Sequence, residues 1–235
     1  NVMAIETLKC PDDIDVAEHN HKAMAPLIKK LESGQPVSIV FWGDSISLGY
    51  DARTKDAGYV PVFIAALEKK YPNAKITVHN SGVGGSSSYS RLFKVVPEVF
   101  DFKPDLIVIE FVNDFALPAR VIGSDYEFVL DTAKEKNARV ILVTPPQAAP
   151  KMARAATWES VADRPYIAIL HELARKNEGV ALADVFERWR HLPREGLRAQ
   201  GLFVNALNHP NNKGHAIIAE ELIRCFGPPD QVASH

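Results

Sequence analysis

The sequence predicts an α/β fold, a three-layer α/β/α sandwich around a central parallel sheet of about five strands. Short apolar, β-branched runs recur along the chain, and between them lie longer stretches with helical spacing. Strand and helix alternate, which favours parallel strands joined by helical crossovers on both faces of the sheet.

The elements follow in order. Ile14 to Leu31 carries apolar residues on one face and stops at Ser33-Gly34, just before Pro36. Val37 to Trp42 is the first strand. Val60 to Lys70 is a helix with Lys69 and Lys70 in its last turn and Pro72 beyond. Ile76 to His79, Leu106 to Phe111, Val140 to Val143 and Val180 to Ala183 are the remaining strands. Each is expected to be buried on both faces. Tyr126 to Lys136, Tyr166 to Lys176 and Lys213 to Phe226 are the later helices. Thr144 to Ala156, rich in Pro and Ala, is expected to be a long surface loop that helps shape a site. No internal repeat or low-complexity tract interrupts the pattern. Residues 1–235 read as a single domain, with residues 1–36 as an N-terminal helical segment packed on it.

Composition narrows the function classes. The chain has 235 residues, 46% apolar and 24% charged, with a formal net charge of -2, so nothing points to nucleic acid or an anionic membrane as partner. No apolar run approaches the roughly 18 residues of a membrane span. A soluble protein is expected, exported if an N-terminal signal was removed ahead of Asn1. Cys10 and Cys225 pair only if the termini meet, and two unrelated thiols is the favoured reading. There is no CxxC or paired Cys/His spacing, so no metal is expected, and no organic cofactor either.

Ligands of open parallel sheets bind beyond the carboxyl ends of the strands. Four clusters fall at such places or at a helix entry: Gly43-Asp44-Ser45-Ile46, Asn80 to Ser86, Asn113-Asp114, and Asn205 to Asn211 before the last helix. A Ser on a tight turn exposes its hydroxyl, but the hydroxyl needs a base to become a nucleophile. A His near neutral pKa is such a base. Attack on an ester then creates an oxyanion that needs preorganised donors. The N–H groups of Ser45 and of a closely approaching Gly, with the Asn113 amide, are the candidates. Alone, each cluster has an ordinary reading. Gly-Asp-Ser is a common turn, Asn-Asp a common cap, and His209-Pro210-Asn211 a common helix entry. The glycine run lacks the last Gly of a dinucleotide fingerprint, because position 87 is Ser87. His19, His21, His171 and His191 read as solvated residues, while Asp44 and Asp114 are expected to accept backbone N–H groups and hold their loops.

Taken together and in order, the four clusters resemble the SGNH (GDSL) hydrolase superfamily over about residues 37 to 226. The segment NHPNNKGH, Asn208 to His215, is especially similar to the family's last block. The resemblance implies a flavodoxin-like sheet and a serine esterase. By that resemblance Ser45 is the nucleophile and an oxyanion donor, Gly85 (with Gly84 as the near alternative) a second donor, Asn113 the side-chain donor and His209 the base. Two positions depart from the pattern. Phe111 stands where the family usually has Gly, and either reshapes the acyl pocket or packs under it. Ala206 stands three residues before the His, where the family commonly carries Asp. Three options follow: Asn205 or a backbone carbonyl orients His209, another carboxylate such as Asp184 serves, or the site is weak. Asn205 is the favoured orienting group, and Asp184 reads better as a structural carboxylate. The expected function is a carboxylester hydrolase with an acyl-enzyme on Ser45, removing a short acyl group from a carbohydrate or small ester. An acyltransferase using the same nucleophile and a non-catalytic carbohydrate-binding protein are the alternatives. Tyr50, Arg53, Tyr89, Arg91, Arg120, Trp158 and Trp189 are candidates to contact a sugar or an anionic leaving group.

Overall fold

The computed structural model describes residues 16–155, 157, 159–205 and 207–227. Its strands are β1 (Pro36–Gly43), β2 (Lys75–Asn80), β3 (Leu106–Glu110), β4 (Arg139–Val143) and β5 (Val180–Ala183). They form one sheet in the order β2-β1-β3-β4-β5, with every neighbouring pair parallel. The main helices are α1 (Val16–Glu32), α2 (Tyr59–Lys70), α3 (Ala119–Glu135), α4 (Pro165–Lys176), α5 (Val185–His191) and α6 (Asn212–Arg224), with short helical turns between them. This is the α/β sandwich that the alternating pattern predicts.

The apolar runs become strands because a parallel sheet covered by helices has no wet face. Ile39, Val40, Phe41, Leu106, Ile107, Val108, Ile141 and Leu142 have no exposed surface. Each such side chain contributes roughly 1.5–3 kcal/mol of burial. Helix α1 turns Ala23, Met24, Leu27 and Leu31 inward at helical spacing. Its buried Asn20 also seals an edge: Nδ2 donates to Leu182 O (2.8 Å) and Oδ1 accepts from Leu182 N (2.8 Å). The amide thus takes the place of a neighbouring strand along β5. Helix α2 packs on α6, and α3 packs on α4.

Several expectations are corrected. β2 is not buried on both faces: Lys75, Thr77, Val78 and Asn80 are exposed at one edge of the sheet, whereas β5 at the other edge is covered by α1 and α4. Thr144 to Ala149 is not a surface loop but fully buried. Its prolines, Pro145 and Pro146, suit that place because they bring no N–H that burial would leave unpaired. The Ala149 N–H is satisfied by Leu207 O at 2.7 Å. A short helical turn, Pro150–Ala153, follows. Helix α3 starts at Ala119 rather than near Tyr126, since the polar Gly123-Ser124-Asp125 breaks the apolar period although Ile122 and Asp125 are buried. His19 is half-buried and bonds Val180 O through Nε2 (2.8 Å). The question of a Cys10–Cys225 pair falls on Cys10, which lies outside the described residues. Cys225 is buried and receives a long contact from Asn20 Nδ2 (3.6 Å).

From β1 the chain passes first to β2 on one side and then to β3 on the other. The carboxyl ends of β1 and β3 therefore flank the point where strand order reverses, where such sheets bind ligands.

Candidate active site

The loop that leaves β1 is built without slack. At Gly43 a Cβ would collide with Ser47 Oγ and with the Glu110 carbonyl on β3, so only glycine fits. Asp44 Oδ1 accepts the Ile46 N–H (3.0 Å) and closes the turn that presents Ser45. Backbone bonds from Leu48 to Asp44, Gly49 to Ile46 and Tyr50 to Ser45 wind the chain into successive turns. Gly49 (φ +75°) and Asp51 (φ +63°) reverse it in left-handed conformations, which Gly and Asp tolerate best.

Neighbouring elements clamp this loop. Asn80, at the end of β2, donates to Ser47 O (2.7 Å). His215, buried on α6, bonds the Tyr50 carbonyl through Nε2 (3.2 Å) and accepts the Tyr59 N–H at Nδ1 (3.3 Å). A carbonyl can only accept and an N–H only donate, so His215 is neutral with its proton on Nε2. Burial holds its pKa below the usual histidine range, which suits that neutral form.

His209 arrives from the other end of the chain. A hairpin-like contact fixes its backbone: Val204 N donates to His209 O (2.9 Å), and Phe203 bridges Pro210. Its ring lies between two groups. Nε2 is 2.8 Å from Ser45 Oγ, and Nδ1 is 2.7 Å from Asp51 Oδ2. A carboxylate accepts only, so the Nδ1 proton points to Asp51 and the Nε2 lone pair of the neutral ring faces the Ser45 hydroxyl.

The group that holds the ring is thus Asp51, which the sequence pattern did not single out. Asn205 is corrected. Its Oδ1 accepts the N–H groups of Leu207 (3.0 Å), Asn208 (3.0 Å) and His209 (2.9 Å), so it shapes the loop and never meets the imidazole. Its reach is spent on the backbone turn that it nucleates. Asp184 is also elsewhere: it caps α5 at Glu187 N (3.2 Å), accepts from Thr144 (2.9 Å) and pairs with His171 (2.9 Å). His171 accordingly is a partner of Asp184 rather than merely solvated.

The proposed oxyanion donors are placed as follows. Among the described residues neither the Ser45 N–H nor the Gly85 N–H meets a protein acceptor. Gly85 has φ +74°, and the space where its Cβ would stand is open. At Gly84 a Cβ would sit 3.2 Å from the Tyr50 hydroxyl. The Asn113 amide is already committed: Nδ2 donates to Asp44 Oδ2 (2.9 Å) and to Ser86 O (2.8 Å). An oxyanion would have to draw one of these hydrogens away, a difference from the freely presented donor expected. Phe111 is fully buried edge-on to Trp42 (4.7 Å), so it packs beneath the site. Trp189 is buried against Phe203, Arg91 is paired with Glu98, and Trp158 lies outside the described residues. Tyr50 and Tyr89 remain exposed.

Three buried carboxyl groups lie close to Ser45: Asp44, Glu110 and Asp114. Asp44 binds Ile46 and Asn113, and Asp114 binds the Ser88 N–H (2.9 Å) and the Tyr126 hydroxyl (3.1 Å), so both hold loops as expected. Burial is the main cause of a raised pKa at all three. Asp114 is pushed up to about 7, and Glu110, beside Asp44 and Asp114, is pushed well above the carboxylate range. The cause of the rise at Glu110 is first its complete burial and then the carboxyl groups of Asp44 and Asp114 beside it. Among the described residues no His/Cys/Asp/Glu group is placed to hold a metal ion, and no helix is long and apolar enough to cross a membrane. A cavity of about 540 Å³ between α1, α4 and α5 shares no residue with the Ser45 cluster.

A family model for GDSL-like lipases and acylhydrolases matches residues 41–217. The chain belongs to that family. No curated protein matches its sequence. Among solved structures, a two-domain esterase active on acetylated mannans matches with TM-score 0.67 and 19% identity, over 87% of this chain. The GDSL chain described here spans only 52% of that protein's length. An α/β hydrolase from the metagenome of Lake Arreo, Spain, matches with TM-score 0.68 and 20% identity, over 81% of this chain and 95% of its own. A catalytic mutant of an acetylxylan esterase from Geobacillus stearothermophilus matches with TM-score 0.66 and 20% identity, over 82% and 94%. At these identities the likeness is one of fold.

Proposed function

We propose that this GDSL hydrolase is a serine esterase that forms an acyl-enzyme on Ser45 and removes short acyl groups, such as acetyl, from carbohydrate esters. The observation that carries the reading is the continuous line Ser45 Oγ, His209 Nε2, His209 Nδ1, Asp51 Oδ2, with steps of 2.8 and 2.7 Å. His209 takes the hydroxyl proton as Ser45 Oγ bonds to the ester carbonyl carbon. Asp51 fixes the tautomer and stabilises the imidazolium. The oxyanion is met by the N–H groups of Ser45 and Gly85, with the Asn113 amide behind them. His209 then protonates the leaving alcohol as the C–O bond breaks. Water attacks the acyl-enzyme, giving its proton to His209, and the acid leaves as Ser45 regains its hydrogen. The carbohydrate part of the reading is supported by the mannan and xylan esters named for the structural neighbours and by the exposed ring of Tyr50 beside His209.

The test is turnover of p-nitrophenyl acetate by the parent and by Ser45→Ala. Hydrolysis that disappears in the variant is the expected result. Equal rates in the two, or an inert parent on short and medium acyl chains, would overturn the reading.

A further inference from the structure

Tyr50 immediately precedes the carboxylate that holds His209, yet its own ring is not part of the proton path. The ring is half exposed, at 49%. It is also held at two ends. One side meets the His209 imidazole perpendicularly, with centroids 5.8 Å apart. The other end, the phenol, lies against Gly84, where even a Cβ would come within 3.2 Å of the hydroxyl oxygen and 3.4 Å of two ring carbons. Its carbonyl is bonded by His215 and its N–H donates to Ser45 O, so the backbone beneath the ring is fixed as well. An exposed aromatic ring normally loses freedom when a ligand covers it; this one has largely lost it already, so less ordering opposes binding.

The position of the ring selects which part of an ester it meets. His209 must deliver a proton to the leaving oxygen, so the alcohol lies on the His209 side of Ser45. Gly84 adjoins Gly85, whose free N–H faces the oxyanion in the mechanism above. A ring stretched from His209 to Gly84 therefore borders the alcohol half, not the acyl chain. A flat apolar face with a hydroxyl at its end matches a pyranose, which offers a sheet of C–H groups ringed by hydroxyls. Leu48, also exposed, comes off the same loop beside Gly82, where a Cβ would meet its Cγ at 3.1 Å, and extends the apolar border.

We propose that Tyr50 is a specificity-determining residue that carries the sugar ring of the leaving alcohol, making the preferred substrate an acylated pyranoside. This rests on the serine esterase reading. The experiment compares kcat/KM for an acetylated xylooligosaccharide with kcat/KM for ethyl acetate, in the parent, Tyr50→Phe, Tyr50→Leu and Tyr50→Ala, with thermal unfolding of each. Ethyl acetate shares the acyl group and lacks the ring, so the ratio isolates the alcohol. A ratio that falls at least tenfold in Tyr50→Leu and Tyr50→Ala, and less than threefold in Tyr50→Phe, is expected. If Tyr50→Ala fails to fold, Tyr50→Leu keeps the apolar bulk and carries the comparison. A ratio that stays constant while the parent hydrolyses both esters overturns the Tyr50 assignment alone. A parent inert toward both overturns the esterase reading, and this one with it.

Discussion

Among the described residues two aspartate–histidine pairs lie at nearly equal distance, Asp51–His209 at 2.7 Å and Asp184–His171 at 2.9 Å. Their surroundings differ. Asp184 is bound into the fold by Thr144 and by the first turn of α5. Desolvation works to raise its pKa, but the bond and charge of His171, with the bonds from the Glu187 N–H and the Thr144 hydroxyl, outweigh this, and the carboxyl is held below its usual range. Asp51 is more exposed, stands on a left-handed turn, and has His209 as the one hydrogen-bond partner of its carboxylate among the described residues. Across the His209 ring stands the Ser45 hydroxyl. A short Asp–His contact is thus not itself a catalytic sign. What matters is that the carboxylate is left to the histidine, and that the other ring nitrogen faces a group with a proton to give.

The sharpest way to break this comparison is to neutralise both acids. Asp51→Asn should lower kcat by about 10³- to 10⁴-fold, because an amide can donate to Nδ1 and favour the wrong tautomer. Asp184→Asn should leave kcat within about threefold in the same ester assay, since a capped helix end is remote from the proton path. Equal losses in the two would remove the distinction between them.

A smaller effect is expected at the positions that hold the loops around Ser45 and His209. Asn205→Ala leaves three N–H groups without their shared acceptor and should cost about 1–2 kcal/mol of stability in urea unfolding. Because Asn205 meets the backbone of its loop and not the ring, its kcat loss should be far smaller than that of Asp51→Asn in the same ester assay.

Asp184 and Asp114 should respond to pH in opposite directions. Asp114 is raised from 3.8 to about 7 on folding. Its proton is therefore bound more tightly in the folded state, so its contribution is full below about pH 4 and is lost as pH rises through about 7. Asp184 is lowered, so its contribution is present above the unfolded value near 3.9 and is lost as pH falls through the folded one. Denaturant unfolding at pH 5 and pH 8 should show the parent losing stability relative to Asp114→Asn on going to pH 8. A parent–Asp114→Asn difference that does not change with pH would show that burial there does not retain the proton.

Much of this molecule can be read from residue order alone. The runs at 37–42, 106–111, 140–143 and 180–183 are apolar because helices cover both faces of the sheet there, and that pattern survives without coordinates. Ser45, the glycine turn, Asn113 and His209 were legible as candidates because strand ends and a helix entry are where polar and glycine-rich residues stand out from apolar surroundings. Asp51 carried one weak local signal, a Gly-Tyr-Asp stretch suited to a turn. The partner 158 residues away could not be inferred from it. Its role depends on two left-handed residues that swing the carboxylate back toward Ser45, and on the Phe203–Pro210 bridge that brings His209 to meet it. Burial of 144–149 and exposure of β2 were likewise settled by which segments became neighbours. Local pattern determines which faces need covering and where the chain turns. Which carboxylate meets which histidine is decided by tertiary structure, because a contact of 2.7 Å is set by packing across the whole chain and not by spacing along it.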